Sequence, residues 1–146
     1  MAHETLKNYS PNHVKLIFNG IEIGGFAEGT FIKVMRTEKA SSVKAGADGS
    51  PVKIKNLNRT GSAAFTLLQT SSSNKVFADF FAVDETSQFG NIGEFILSDL
   101  NGITFAHGTG VWVESPSDVT YSKDLENREW TLLIGDLEIY NAGAVQ

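Results

Sequence analysis

Val14-Lys15-Leu16-Ile17-Phe18-Asn19-Gly20-Ile21-Glu22-Ile23 is the stretch on which the fold turns. Val14, Leu16 and Phe18 alternate with Lys15 and Ile17, the period-two pattern of a strand with one covered face. Asn19-Gly20 is the pair best suited to the two positive-φ positions of a tight hairpin, and Ile21–Ile23 begins the return. A chain that opens on such a hairpin and holds 14 glycines, 10 phenylalanines and only 3 prolines is read as many short strands joined by tight turns.

The same signal recurs outward from that hairpin. Phe31–Arg36 alternates, with Ile32 and Val34 on one face and Phe31, Lys33 and Met35 on the other. Residues 37–50 are small, polar and glycine-containing, and are expected to form a long connection near the upper limit for a compact domain. Val52-Lys53-Ile54-Lys55 alternates with its lysines toward water, Asn58–Gly61 reads as a turn, and Ala63–Gln69 as a strand with Phe65 and Leu67 sharing a face. Asn74–Glu85 is the one helical stretch, with Ser73 as its expected N-cap and Val76, Phe77, Phe80, Phe81 and Val83 as its apolar stripe. Three phenylalanines so close together suit packing on a sheet better than an aromatic ligand box.

Strand signals then resume. Phe95–Leu97 leads into a second hairpin at Leu100-Asn101-Gly102-Ile103, and Val111 and Val113 oppose Trp112 and Glu114. Ser115–Asp118 reads as a turn. Arg128, Trp130, Leu132 and Ile134 oppose Glu129, Thr131 and Leu133, and Leu137 and Ile139 continue beyond a break at Gly135-Asp136. The expected fold is mainly β (α+β): an antiparallel β-sandwich or barrel of about eight strands with one flanking α-helix. It occupies a single domain, residues 1–146, with residues 1–9 as a flexible tail.

Composition bounds the function. The chain has no cysteine, which excludes disulfides, thiolate metal sites and cysteine catalysis. Its apolar runs, such as Ala63–Leu68, are far shorter than the ~20 residues of a membrane-spanning helix. Met1–Tyr9 has no apolar core of a secretion signal. His3, His13 and His107 fall at no metal-ligand spacing, and no nucleophile elbow is present. Ala45-Gly46-Ala47-Asp48-Gly49 lacks the lysine and hydroxyl of a phosphate loop, and Asp84, Glu85 and Glu126 read as surface acids. No catalytic residue, cofactor or metal site is expected, and the chain is not read as an enzyme.

Charge is the uneven feature. The net charge is −5, yet Lys33, Arg36, Lys39, Lys44, Lys53, Lys55 and Arg59 face only Glu38 and Asp48 between residues 33 and 59. Residues 60–146 hold twelve acids against Lys75, Lys123 and Arg128. Ordinary surface scatter is one reading of this split. Another is a positive face on one copy meeting a negative face on the next, which favours head-to-tail association. A nucleic-acid patch fits less well, because the basic stretch lacks interleaved aromatics.

Three segments together carry a resemblance: Asn19-Gly20 through Gly25-Phe26-Ala27-Glu28-Gly29-Thr30-Phe31-Ile32; Ala45–Gly49 through Asn58-Arg59-Thr60-Gly61 to Leu67-Leu68-Gln69-Thr70-Ser71; and Pro116-Ser117-Asp118-Val119 with Asn127-Arg128-Glu129-Trp130-Thr131. Over residues 9–140 the chain resembles the tail tube proteins of contractile-tailed bacteriophages. The resemblance implies a fold shared with the tube protein of type VI secretion, and hexameric rings whose strands continue between subunits around a lumen. It further implies rings stacked into a tube inside a contractile sheath, with baseplate and tail terminator as partners. A tape-measure protein would fill the lumen before DNA passes without specific binding. The expected location is the virion, with assembly in the bacterial host cytoplasm and no membrane partner. On the same grounds the 37–50 loop reaches the adjacent ring, with Lys39, Lys44 and Asp48 as inter-ring contacts. The alternatives are a tube subunit of a type VI secretion or bacteriocin-like injection machine, and a small monomeric β-barrel that binds a ligand between Trp112 and Trp130.

Overall fold

The structure, a computed structural model, describes residues 11–29, 31–88, 90–100 and 104–142. Among these residues a short 3-10 turn (Pro11–His13) is followed by nine strands and one α-helix in the order β1 (Val14–Phe18), β2 (Ile21–Ile23), β3 (Ile32–Arg36), β4 (Ser41–Ala45), β5 (Pro51–Lys55), β6 (Gly61–Leu68), α1 (Ser73–Thr86), β7 (Gly93–Asp99), β8 (Phe105–Val113) and β9 (Asn127–Tyr140). Seven strands make one sheet in the order β2-β1-β7-β8-β9-β6-β3, and β4 and β5 form a separate two-stranded ribbon. Every pair is antiparallel.

The β1–β2 turn has the form its sequence dictates, with positive φ at both Asn19 and Gly20 (51° and 82°). Asn19 also stitches the hairpin to β7, donating its amide to the Glu94 carbonyl and accepting the Glu94 amide on Oδ1, both at 2.9 Å. The second Asn-Gly turn, residues 101–103, lies outside the described residues; β7 and β8 pair up to it, and the Asp99 amide donates to Thr104 O at 3.0 Å.

One face of the sheet carries the core. Leu16 and Phe18, Phe65 and Leu67, Phe95, Val111 and Val113, and Trp130, Leu132 and Ile134 are buried there, as the alternation requires. The two longest strands bend together where Gly110 faces Gly135. Before the bend Ala106 and Gly108 point inward on β8, and after it Val111 and Val113 do; on β9 the inward set passes from Ile134 to Leu137. Gly110 has φ 64° and sits at the bulge between the Gly93–Val111 and Glu94–Thr109 pairs, so the corner needs a residue without Cβ.

Helix α1 covers the core face. The Phe77 ring meets Phe18, Phe65 and Trp130 at 5.0, 4.7 and 5.7 Å, and Phe80 meets Phe18 edge-on at 4.9 Å. The sheet does not close into a barrel by its ladders. The segment after β2 nonetheless crosses to the far side, where Phe26 bridges Leu67 and the Ala27 amide donates to Thr66 O at 3.0 Å.

Four expectations are corrected. Residues 37–50 are not a structureless loop: 41–45 form β4, which raises the strand count to nine. Ser73 does not cap α1. Its hydroxyl instead accepts the Gly24 amide at 3.0 Å, so it is buried against the corner that follows β2. Val83 lies outside the covered part of the helix face and is exposed. In β5 the lysines face water, but so do Val52 and Ile54, because nothing among the described residues covers either face of the ribbon.

Candidate assembly interface

The ribbon is an outward extension of the β3–β6 hairpin. Arg36 pairs with Gly61, the Thr37 amide donates to Thr60 O at 3.0 Å, the Asn56 amide donates to Ala40 O at 2.8 Å, and Ser41 pairs with Lys55. Side chains fix its base. Asn56 Nδ2 donates to Glu38 Oε2 at 2.8 Å and to Lys39 O at 3.0 Å, while Asn56 Oδ1 and Asn58 Oδ1 accept the amides of Asn58 and Thr60. The Asn56 side-chain amide, and after it that of Asn58, hold the Glu38 carboxyl below its usual range.

At the tip, Gly46–Ser50 folds into a turn closed by the Gly46 amide on Ser50 O at 2.8 Å, with φ 83° at Gly49. Asp48 accepts the Ser50 amide at 3.0 Å and the Ser50 hydroxyl at 2.9 Å, and those bonds lower its pKa. This is a polar turn rather than an anion cradle.

All ten strand residues of the ribbon are exposed, and Val43, Val52 and Ile54 keep 74%, 54% and 44% of their surface open. An isolated two-stranded hairpin is marginal in water. Its register puts Val52, Ile54 and Lys44 on one face and Val43, Lys53 and Lys55 on the other. Lys33, Lys39, Lys44, Lys53 and Lys55 make no ion pair among the described residues. Within the basic segment only Arg59 reaches carboxylates, Asp136 at 3.1 Å and Glu138 at 3.6 Å. Among the described residues the lysines of the basic segment are therefore not neutralised by ion pairs.

The three expected contact residues share one arm but do different things. Lys44 lies on its distal half, Lys39 at its base, and Asp48 shapes its tip. Sequence reading missed what surrounds them. Strands β2 and β3 end the sheet and leave two edges unpaired along their outer sides among the described residues. The sheet face opposite the core is bare. By register it carries Glu22, Glu94, Asp136 and Glu138 on one side of the bend, and Lys33, Met35, Trp112 and Leu133 on the other. Arg36 donates through Nη2 to Leu137 O at 3.1 Å, and its buried Nε has no partner among the described residues.

Trp112 is 37% exposed on that bare face, whereas Trp130 is buried in the core. The two do not line a common pocket. His107 Nε2 lies 3.1 Å from Glu94 Oε1 on the solvent face of the sheet. Asp84 Oδ1 accepts the Asn91 amide at 2.7 Å and so holds the turn out of α1. No group of three or more potential metal ligands is found among the described residues, and no described helix is long and apolar enough to cross a membrane.

This fold is that of the tube and tube-terminating proteins of contractile injection systems. The sheath/tube terminator of the extracellular system PVC in its extended state superposes with a TM-score of 0.64 at 12% identity, covering 94% of this chain and 99% of that one. The tube-terminating cap of the anti-feeding prophage AFP gives 0.61 at 9% identity over 97% of both chains. A chain of the PVC sheath–tube complex gives 0.61 at 13%, covering 94% of this chain and 93% of that one. Within that class, residues 18–141 match the family model of the bacteriophage PhiTE tail tube protein, and the chain belongs to this family. Structural protein ORF10 of Pseudomonas phage KPP10 is 24% identical over 150 residues, covering 98% of this chain and 86% of that protein. The protein is thus a structural component of a phage tail tube.

Proposed function

We propose that the protein assembles into hexameric rings that stack as the inner tube of a contractile phage tail, through which DNA leaves the virion. The observation that carries this reading is the ribbon: an uncovered apolar and basic arm that its own domain leaves without a partner. Such an arm is stable when another copy covers it, and the acid-rich remainder of the chain supplies a surface of opposite sign. Lys39 and Lys44 meet acids of the adjacent ring, and Asp48 holds the tip in shape for that contact.

Rings form when the free edge of β3 on one copy pairs with the sheet of the next, which satisfies backbone groups otherwise open to aggregation. Because α1 covers one face of the sheet, the bare face turns to the lumen. On that wall Glu22, Glu94, Asp136 and Glu138 outnumber Lys15, Arg59 and Lys33, and this surplus of acid repels DNA phosphates and lets them slide. The outer surface meets a sheath, and the two ends of the tube meet baseplate and terminator proteins, as the assemblies of its structural neighbours suggest. A tape-measure protein occupies the lumen before DNA. Assembly takes place in the host cytoplasm.

Negative-stain electron microscopy of the purified chain, with sedimentation in parallel, tests the reading. Rings or tubes with a central hole are expected. A compact monomer whose sedimentation does not change with concentration would remove it.

A further inference from the structure

We infer that the ribbon of one copy seats, by its Val52, Ile54 and Lys44 face, in a specific cleft of the next, formed between β2 and the residues Gly24–Gly29 with Phe31. This rests on the stacked-ring reading and adds the receiving site. The cleft has a volume of about 650 Å³. Pockets that enclose a drug-sized molecule run to ~300–1,000 Å³, so it has room for a group of side chains. Val14, Ile23, Phe26 and Phe31 supply its apolar lining, the two rings in tilted contact at 5.2 Å, and Glu22 and Glu28 line it as well. The ribbon face carrying Val52, Ile54 and Lys44 matches this in kind: two uncovered aliphatic side chains beside a lysine without an ion pair among the described residues. Glu22 is already held by Lys15 at 3.2 Å, which leaves Glu28 as the carboxylate for Lys44.

Topology gives the occupant as a second copy. The cleft lies at the Phe31 end of β3, where Phe26 bridges Leu67, and the ribbon leaves from the Arg36 end, where Gly61 begins β6. The stretch of β6 from Gly61 to Leu67 separates the two, about 20 Å at ~3.4 Å per residue, and the tip projects farther still. A chain with its arm at one end of a strand and the matching cleft at the other makes a head-to-tail contact. Such a contact repeats without closing unless rotation intervenes, and it builds a stack.

The absence of cysteine makes the contact directly readable. The double variant Glu28→Cys/Val52→Cys, oxidised during assembly, is expected to give a ladder of dimers, trimers and longer chains on a non-reducing gel. Each single variant is expected to stay monomeric. Lys44→Glu or Glu28→Lys alone is expected to weaken association at least about tenfold, and the pair together to restore it. Tubes seen by microscopy without a ladder, or single variants that dimerise as readily, would overturn the cleft while leaving stacking intact. No association by any measure would overturn both. A ladder that forms only after deletion of residues 2–10 would give the cleft to the chain's own N-terminus and also overturn the inference.

Discussion

Trp130 Nε1 donates to Asn74 Oδ1 at 3.0 Å, joining the long strand β9 to the first turn of α1. Asn74 also donates through Nδ2 to Leu68 O at 2.9 Å and Ser71 O at 3.0 Å. One amide therefore satisfies an indole and ties down the link between β6 and the helix. Asn74→Ala leaves the Trp130 indole donor without its acceptor and removes the side-chain bonds to the Leu68 and Ser71 carbonyls, which keep the Ser71 and Asn74 amides, at a cost of about 1–3 kcal/mol. Urea unfolding is expected to show it as a lower midpoint with an unchanged slope. Asn74→Asp keeps the acceptor for Trp130 but sets a carboxylate against the carbonyls, and is expected to be no better than alanine.

Phe77 is fully buried among Phe18, Phe65 and Trp130, whereas Val83, on the same helix, is exposed. Phe77→Ala is expected to cost about 3–5 kcal/mol, since no neighbour can collapse into the space without breaking other ring contacts. Val83→Ala is expected to stay within about 0.5 kcal/mol. Equal effects in thermal unfolding would show that the helix packs through a different face.

These two residues also mark what the sequence could reveal. Alternation exposed the core strands, since Ala63, Phe65 and Leu67, or Trp130, Leu132 and Ile134, each need one dry face. The Asn19-Gly20 turn was legible because few other pairs accept two positive φ values. Strand β4 was not legible: Ser41–Ala45 is wet on both sides, so only its pairing with β5 makes it a strand. The helix start was misplaced by one residue because a backbone amide 49 positions away claims the Ser73 hydroxyl. The break at Gly135 showed in the sequence, but its opposite number, Gly110, did not, since register across strands is a tertiary property. The basic arm was legible as charge, while the bare sheet face and the cleft required the topology.

The Asp48 turn gives the ribbon tip an acid limit. Its carboxyl titrates below the ordinary aspartate value because the ionised form accepts the Ser50 amide and hydroxyl. A depressed folded-state pKa adds stability that is complete above the unfolded value, ~3.9, and is lost as pH falls through the folded one. Amide exchange at Ser50 is expected to stay slow from neutral pH to about 5 and to rise relative to core amides below about 4. Asp48→Ala is expected to remove that pH dependence. Persistence of the dependence in the variant would assign it to another group.

Lys39 and Lys44 make no ion pair within the chain among the described residues, so their charges have nothing to stabilise in the isolated fold. Lys39→Glu/Lys44→Glu is accordingly expected to leave the unfolding free energy within about 0.5 kcal/mol of the parent. Under the proposed stacking of rings, assembly should respond differently, because the substitution would place new acids against an acidic neighbour. The concentration needed for tubes is expected to rise at least about tenfold at low ionic strength. Salt separates charge from packing. Between about 0.05 and 0.5 M the screening length shortens from more than 10 Å to a few ångströms, so the parent should lose affinity while the variant gains some. Light scattering against protein concentration at both salts reads the outcome. Normal tubes from the double variant, with parallel salt responses, would mean that the arm docks through Val43, Val52 and Ile54 alone.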